Sequence, residues 1–308
     1  MDGILLIDKP AGPTSHDVVY HIRKALGEKK VGHTGTLDPT ATGVLPLVLG
    51  RDTKLARYFS GGDKVYCATV CLGISTSTLD AAGEVTCERP VNVTVDQLNE
   101  VLEKFRGDIE QIPPMYSAKK QEGKRLYQLA RQGLEVERQP KKVSIKSLTL
   151  DATALPEFTL TVHCTAGTYV RVLAHDIGEA LGCGGHLKSL RRTAAGPFLL
   201  ENSITLDAAV QDPAKARSML IPAARALICL PRIDVPAYLA RMISSGYQLR
   251  VSDLSKLDAP DFASDQAIAL GLDGGELIAV ARSELASTDL AQSLRDALAL
   301  KTERLLAA

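Results

Sequence analysis

The sequence predicts an α+β fold: a central mixed, largely antiparallel sheet flanked by helices, followed by a small β-rich C-terminal module. Three observations lead there. Capped, amphipathic helical stretches are interleaved with runs of β-branched and apolar residues without strictly alternating with them, which disfavours a doubly wound parallel sheet. Neither Gly-x-Gly-x-x-Gly nor Gly-x4-Gly-Lys-Ser/Thr occurs, so a nucleotide-cofactor fold loses its main support. A change in the sign of the charge balance and a hairpin signature mark off the C-terminal stretch.

The elements follow in chain order. The apolar run Ile4–Ile7 is strand-like and far shorter than the ~20 residues of a membrane span. It is also too short for a signal core. Thr14 with Asp17, then Val18, Ile22, Leu26 and Gly27, forms a capped helix. Thr94 with Gln97, then Leu98, Val101, Leu102, Phe105 and Gly107, forms another. A third runs from Thr168 through Val170, Leu173, Ala174 and Ile177 to Leu181 and Gly182, with a core-facing stripe. Lys64–Gly73 and Phe158–Cys164 have strand composition. Between them Pro113-Pro114 opens a polar excursion to Lys146, holding only a short helical segment at Leu126, Leu129 and Ala130 that Gly133 closes. A boundary falls near Cys229–Pro236, giving domains 1–228 and 229–308. In the second, Gln266–Gly271 and Glu276–Glu284 flank a Leu-Asp-Gly-Gly turn. Leu290, Leu294, Leu298 and Leu305 are spaced for a terminal amphipathic helix.

The chain's 308 residues are 45% hydrophobic and 23% charged, with 36 basic residues against 36 acidic and no Trp, which excludes disordered, collagen-like and membrane-bundle classes. Six cysteines without a Cys-x-x-Cys fit a reducing compartment and suggest no metal. The reading is a cytoplasmic protein. Neutrality hides an asymmetry: residues 119–146 carry nine basic and three acidic side chains, and residues 233–308 carry seven basic and eleven acidic. The first stretch is either a solvated face or a phosphate-binding surface.

Val31–Gly43 packs glycines, threonines, His33, Asp38 and Pro39 into one loop. Either Asp38 caps backbone N–H groups in a turn, or the loop presents its carboxylate to a cleft as nucleophile or base. Gly32-His33-Thr34-Gly35-Thr36-Leu37-Asp38-Pro39-x-Ala41-Thr42-Gly43-Val44-Leu45-Pro46 resembles the catalytic motif of TruB-type tRNA pseudouridine synthases. Further segments resemble that family in its order: Gly3 to Gly12, Lys64-Val65-Tyr66, Gly73 through Asp80-x-x-Gly83, Pro113 to Lys119, Gly123 to Tyr127, Gly167 to Gly178 and Leu190-Arg191-Arg192-Thr193. Together they cover about residues 3–206. Ser77, where the family often has Asp, and the acidic C-terminal stretch depart from the pattern.

The resemblance implies the pseudouridine synthase fold with an RNA-clamping insertion at about 113–146 and a PUA-like C-terminal module. It implies conversion of uridine 55 in the T arm of tRNA to pseudouridine, with no cofactor, no obligatory protein partner and a monomeric enzyme. Asp38 would be the catalytic carboxylate, attacking either the sugar C1′ or the uracil ring. Arg171 would pair with it, and Tyr66 would stack on the uracil and offer its hydroxyl to the C5 proton. Leu190 and Tyr169 would help to enclose the base, and His33 would fill the space it leaves on flipping. Lys9 would support the N-terminal loops beside the substrate. Lys119, Lys120, Lys124 and Arg125 would hold phosphates; failing them, the RNA footprint would lie around Lys188, Arg191 and Arg192. Two other readings stay open: an RNA-binding chaperone of the same fold, and a guide-RNA-dependent relative, which would lack the 119–146 insertion.

Overall fold

The computed structural model describes the chain except at residues 118, 119, 122, 131, 135, 274, 307 and 308. Lys119, one of the expected phosphate contacts, therefore lies outside the described residues. The first sheet has ten strands: β1 (Gly3–Lys9), β2 (Val31–His33), β3 (Thr42–Leu49), β4 (Lys64–Leu72), β5 (Gly107–Gln111), β6 (Lys141–Ala154), β7 (Glu157–Cys164), β8 (Gly185–Ala195), β9 (Phe198–Leu199) and β10 (Ile204–Thr205). Their order is β10-β1-β3-β8-β4-β7-β6-β5, with β2 on β3 and β9 on β8. Only β1–β10 and β3–β8 pair in parallel. The sheet is thus mixed and largely antiparallel, as expected.

Alternation along β1 and β3 explains their unbroken apolar composition, because both faces are covered. Leu5, Ile7, Leu45, Leu47 and Leu49 face helix α1 (Ser15–Leu26), which buries Val18, Ile22 and Leu26 against them. Ile4, Leu6, Val44 and Val48 face the other way, onto Phe59, Phe198, Val280 and Leu306. A separate core lies under β4, β6 and β7, where Ala68, Val70, Leu72, Phe158 and Leu160 meet α2 (Val95–Glu103). After the short α3 (Leu126–Ala130), α4 (Val170–Ala180) adds Leu173, Ala174 and Ile177 to that core. Strand β8 lies between β3 and β4 and joins the two halves.

Helix α1 starts at the predicted capping box, Thr14 with Asp17, and ends on Gly27 in the left-handed conformation. Helix α4 begins at Val170, two residues after the predicted start. No side chain of its own N-cap residue closes it. Buried Gln111 on β5 instead takes the Tyr169 N–H at 2.9 Å and donates to the Tyr169 carbonyl at 3.2 Å.

The second sheet, in the order β11-β13-β14-β15-β12, comprises β11 (Arg232–Val235), β12 (Leu249–Arg250), β13 (Ala267–Leu272), β14 (Leu277–Ser283) and β15 (Leu298–Leu305). The predicted hairpin is β13–β14. The predicted terminal helix is wrong. Residues 287–292 form a 3₁₀ turn, Leu294 is exposed, and Leu298–Leu305 is a strand paired along β14. Cross-strand pairing with an existing edge outweighs a four-residue spacing of leucines.

Candidate active site

A cleft of about 270 Å³ opens where the two halves of the first sheet meet, lined among others by Asp38, Lys64, Tyr66, Tyr169, Arg171, Leu190 and Arg192. Its back wall follows from strand register. Tyr66 on β4 stands opposite Arg192 on β8, and Leu190 opposite Ala68, so their side chains share one face. Tyr66 and Leu190 pack against both cores.

The front wall is the loop from Thr34 to Ala41, and its shape is fixed from three sides. Ser15, at the start of α1, accepts from the Leu37 N–H at 2.9 Å and donates to the Leu37 carbonyl at 3.0 Å. Lys9 donates to the carbonyls of Pro10, Pro39 and Ala41 at 2.9, 3.2 and 2.7 Å. Arg192 donates to the carbonyls of Gly35 and Val44 at 3.2 and 2.8 Å. A ring of donors from other elements thus holds the loop open without spending Asp38. Among the described residues the Asp38 side chain caps no turn.

The partner of Asp38 among the described residues is Arg171, with Nη2 and Oδ2 3.0 Å apart. The Arg171 side chain is 7% exposed and that of Asp38 is 42% exposed, so the cation is sunk in the wall and the carboxylate faces the opening. Arg171 Nη1 also lies 3.4 Å from Asp80, and Nη2 donates to the Tyr116 carbonyl at 2.8 Å. Asp80 is itself fixed by Thr78 at 2.6 Å and the Ala82 N–H at 3.0 Å. The surrounding protein pushes the Asp38 pKa up; Arg171 opposes this, Asp80 adds to the rise, and Lys9 lowers it. Burial pushes Lys9 down to about 8, against the pull of Asp38.

Asp38, Tyr66, Tyr169, Arg171 and Leu190 therefore come together. His33 and Lys9 do not line the cleft. His33 lies on β2, with its ring 5.2 Å from that of His16 in an edge-on contact. Lys9 has no exposed surface, so direct substrate contact is ruled out and its part is to brace the loop. Lys120 falls on the strand Lys120–Gln121, and Lys124 and Arg125 on its hairpin partner Lys124–Arg125. That hairpin springs from the cleft's edge, since Ser117 lines the cleft and Tyr116 holds Arg171. Of the fallback RNA footprint, Arg192 drops out at 1% exposed, whereas Lys188 and Arg191, paired with Glu157 and Asp8, keep half-exposed side chains.

The sequence reading gave no role to Asp80 or Gln111, and it set Arg192 on an RNA-binding surface instead of in the cleft wall. Asp80 had a signal in the Asp80-x-x-Gly83 pattern, whereas Gln111 had none.

Against known families, residues 23–170 match the TruB family pseudouridylate synthase N-terminal domain and residues 171–228 the tRNA pseudouridylate synthase B C-terminal domain. The tRNA pseudouridine synthase B of Geotalea uraniireducens (strain Rf4) is 45% identical, the match covering 92% of this chain and 93% of that protein. The protein of the same name from Azoarcus sp. (strain BH72) is 47% identical over 81% of this chain and 84% of its own length. Among solved structures, a Cbf5-Nop10-Gar1 complex superposes with a TM-score of 0.79 at 28% identity, covering 99% of this chain and 84% of that one. An H/ACA RNP bound to a substrate RNA containing 2′-deoxyuridine superposes equally well, with a TM-score of 0.79 at 26% identity over 99% of this chain and 85% of that one. With a carboxylate–guanidinium pair in a cleft of that fold and likeness to both relatives over most of its length, the chain belongs to the TruB family of tRNA pseudouridine synthases, which are isomerases.

Proposed function

We propose that the chain converts uridine 55 in the T arm of tRNA to pseudouridine, with Asp38 as the catalytic carboxylate. The observation that carries this reading is the ion pair of Asp38 with a sunken Arg171 at the mouth of a cleft walled by Tyr66 and Leu190. The base must leave its stack to reach such a site, at a cost of a few kcal/mol. Tyr66 and Leu190 offer the flipped ring an aromatic and an apolar face, and Tyr169 flanks it. His33, at the end of β2 and edge-on to His16, fills the space the base vacates.

In the reaction the bond between N1 and C1′ breaks and one between C5 and C1′ forms. C5 loses its hydrogen as a proton and N1 gains one, so no redox equivalent is exchanged. Asp38 serves as the anion that acts on the sugar or the ring, and Arg171 keeps it charged and aimed. A dry cleft matters because water at C1′ would leave an abasic site. Tyr66 takes the C5 proton.

Lys119, Lys120, Lys124 and Arg125 hold RNA phosphates from an insertion at the cleft's edge. Residues 1–228 form the catalytic domain and 229–308 a PUA-like module. We take the enzyme to act as a cytoplasmic monomer on the T stem-loop without a protein partner. No helix among the described residues is long and apolar enough to cross a membrane.

The test is incubation with an unmodified tRNA transcript and mapping of pseudouridine at nucleotide resolution. Modification at position 55 is expected. Modification elsewhere would remove the positional assignment, and tRNA refolding that is unaffected by Asp38→Asn and occurs without pseudouridine would favour the chaperone reading.

A further inference from the structure

The chemistry above leaves two buried cations of the cleft wall unused, Lys64 and Arg192, and Arg192 is the one the strand register sets against Tyr66. Arg192 is the largest of the fully buried side chains. Two of its nitrogens donate to neutral carbonyls, it makes a side-chain hydrogen bond with Tyr66, and among the described residues it has no carboxylate at ion-pair distance. Arg171 across the same cleft has two. Taking a guanidinium out of water costs several kcal/mol, which carbonyl contacts alone do not offset, and neutral residues of similar volume are often as stable or more so. Bracing the Gly35 and Val44 carbonyls is a task a neutral donor could perform. A charge kept at such a cost needs a partner that becomes negative.

The group best placed to do so is Tyr66. It stands directly opposite Arg192 in the β4–β8 register, both side chains rise on the same face, and both line the cleft. At such positions Cβ atoms are ~5 Å apart. We infer that Arg192 is a positioning residue for the reaction: it orients the Tyr66 hydroxyl toward the flipped base and offsets the negative charge that oxygen carries when it takes the C5 proton. This rests on the proposed function.

Tyr66 rests as the phenol. Once C5 is joined to C1′ and still bears its hydrogen, the phenol gives its own proton to solvent, and the phenolate so formed, held by Arg192, takes the C5 proton and becomes a phenol again. The C5–H electron pair closes the C5–C6 double bond, and the C6–N1 π pair moves onto N1, which picks up a proton. Nothing is oxidised or reduced. The surroundings keep the phenol protonated at rest, and Arg192 is the group that opposes them. Burial pushes the Tyr66 pKa up, as do Cys164 on β7 and Asp38 on the loop, while Arg192 pulls it down by charge and hydrogen bonding.

The experiment compares single-turnover rates on a T-arm hairpin RNA, with protium or deuterium at uridine C5, for wild type, Arg192→Met, Arg192→Lys, Tyr66→Phe and the Met/Phe double variant. Arg192→Met should slow the reaction at least about tenfold and show a larger C5 isotope effect than wild type, because proton removal has become harder. Arg192→Lys should restore most of the rate. In the Phe background the Met change should cost less than about twofold, as expected of two groups acting as a unit. The role is overturned if Arg192→Met slows turnover with no increase in isotope effect, if its loss multiplies in full with that of Tyr66→Phe, or if it leaves the rate unchanged. Should the Met variant fail to fold, Arg192→Gln, which keeps amide donors without the charge, combined with Tyr66→Phe gives the same cycle. A wild type that modifies no uridine would instead remove the proposed function itself.

Discussion

In the proposed role Asp38 must be ionised, yet it sits where ionisation is costly. Its pKa is raised by the surrounding protein, with Arg171 opposing, so activity on the acid side should fall with a midpoint above the ordinary carboxylate value of 3.8. A single-turnover pH profile checks this. Because the folded state holds the proton more tightly than the unfolded chain, the carboxyl's contribution to stability is complete below the unfolded pKa and is lost as pH rises through the folded one. Asp38→Asn should therefore abolish pseudouridine formation while leaving tRNA affinity within about tenfold and the neutral-pH melting temperature no lower than wild type. Measurable turnover would remove Asp38 from its role, and a melting temperature several degrees lower would refute the electrostatic account. The motif around Asp38 was legible because its residues are contiguous. Asp80 and Arg192 were harder to see, since they meet their partners across 91 and 148 positions of sequence. Pairings of that length follow from sheet order, which no local pattern encodes.

The loop holding Asp38 is only as well placed as the strands on either side of it. Gly43 has φ of +103°, and a Cβ there would lie 2.2 Å from the Arg192 carbonyl oxygen. Gly43→Ala must therefore drive β3 and β8 apart, at a cost of roughly 3 kcal/mol or more from overpacking and backbone strain together. Thermal melting should show the loss, and wild-type stability in that variant would contradict the observed approach of the two backbones. The insertion hairpin is tested by salt. If Lys119, Lys120, Lys124 and Arg125 bind phosphates, changing all four to Ala should reduce the slope of log affinity against log salt by up to about three units. Single-turnover rate at saturating tRNA should change far less, and an unaltered slope would mean a merely solvated face. Elements with their own caps and stripes, such as α1 and α2, could be read directly. The start of α4 could not, because its cap comes from Gln111 on another strand. The C-terminal leucines misled for the same reason, since the edge of β14 decides their conformation.

Across the whole molecule the two sheets meet at a seam. Val280 and Leu306 reach under β1 and β3, Arg51 and Lys54 donate to the carbonyls of Leu306 and Leu305, and Arg57 pairs with Glu303 at 2.5 Å. A cleft of about 800 Å³ follows the seam, and buried Asp52 lines it with Asp2, Arg51 and Glu276. Burial pushes the Asp52 pKa up to about 6, helped by Asp2 and opposed by Arg51. A raised folded pKa means stability present in full below about 4 and lost as pH rises through 6. Asp52→Asn should thus raise the melting temperature at pH 7 to 8, by on the order of 1 kcal/mol or about 2 °C, with the gain vanishing near pH 4. A gain that persists at pH 4 would point to packing instead of charge.

The insertion of β8 between β3 and β4 also sets a clock on biosynthesis. About 150 residues separate Asp38 from Arg192. At roughly 5–20 residues per second, a ribosome needs about 8–30 s to make that stretch. During that interval the nascent chain can assemble the β1–β3 layer with α1 and the β4–β7 layer with α2, each with a bare edge that invites pairing with other chains. Arrival of β8 closes both edges and, in the same step, completes the cleft, so the unfinished polypeptide has no finished cleft in which to modify a base.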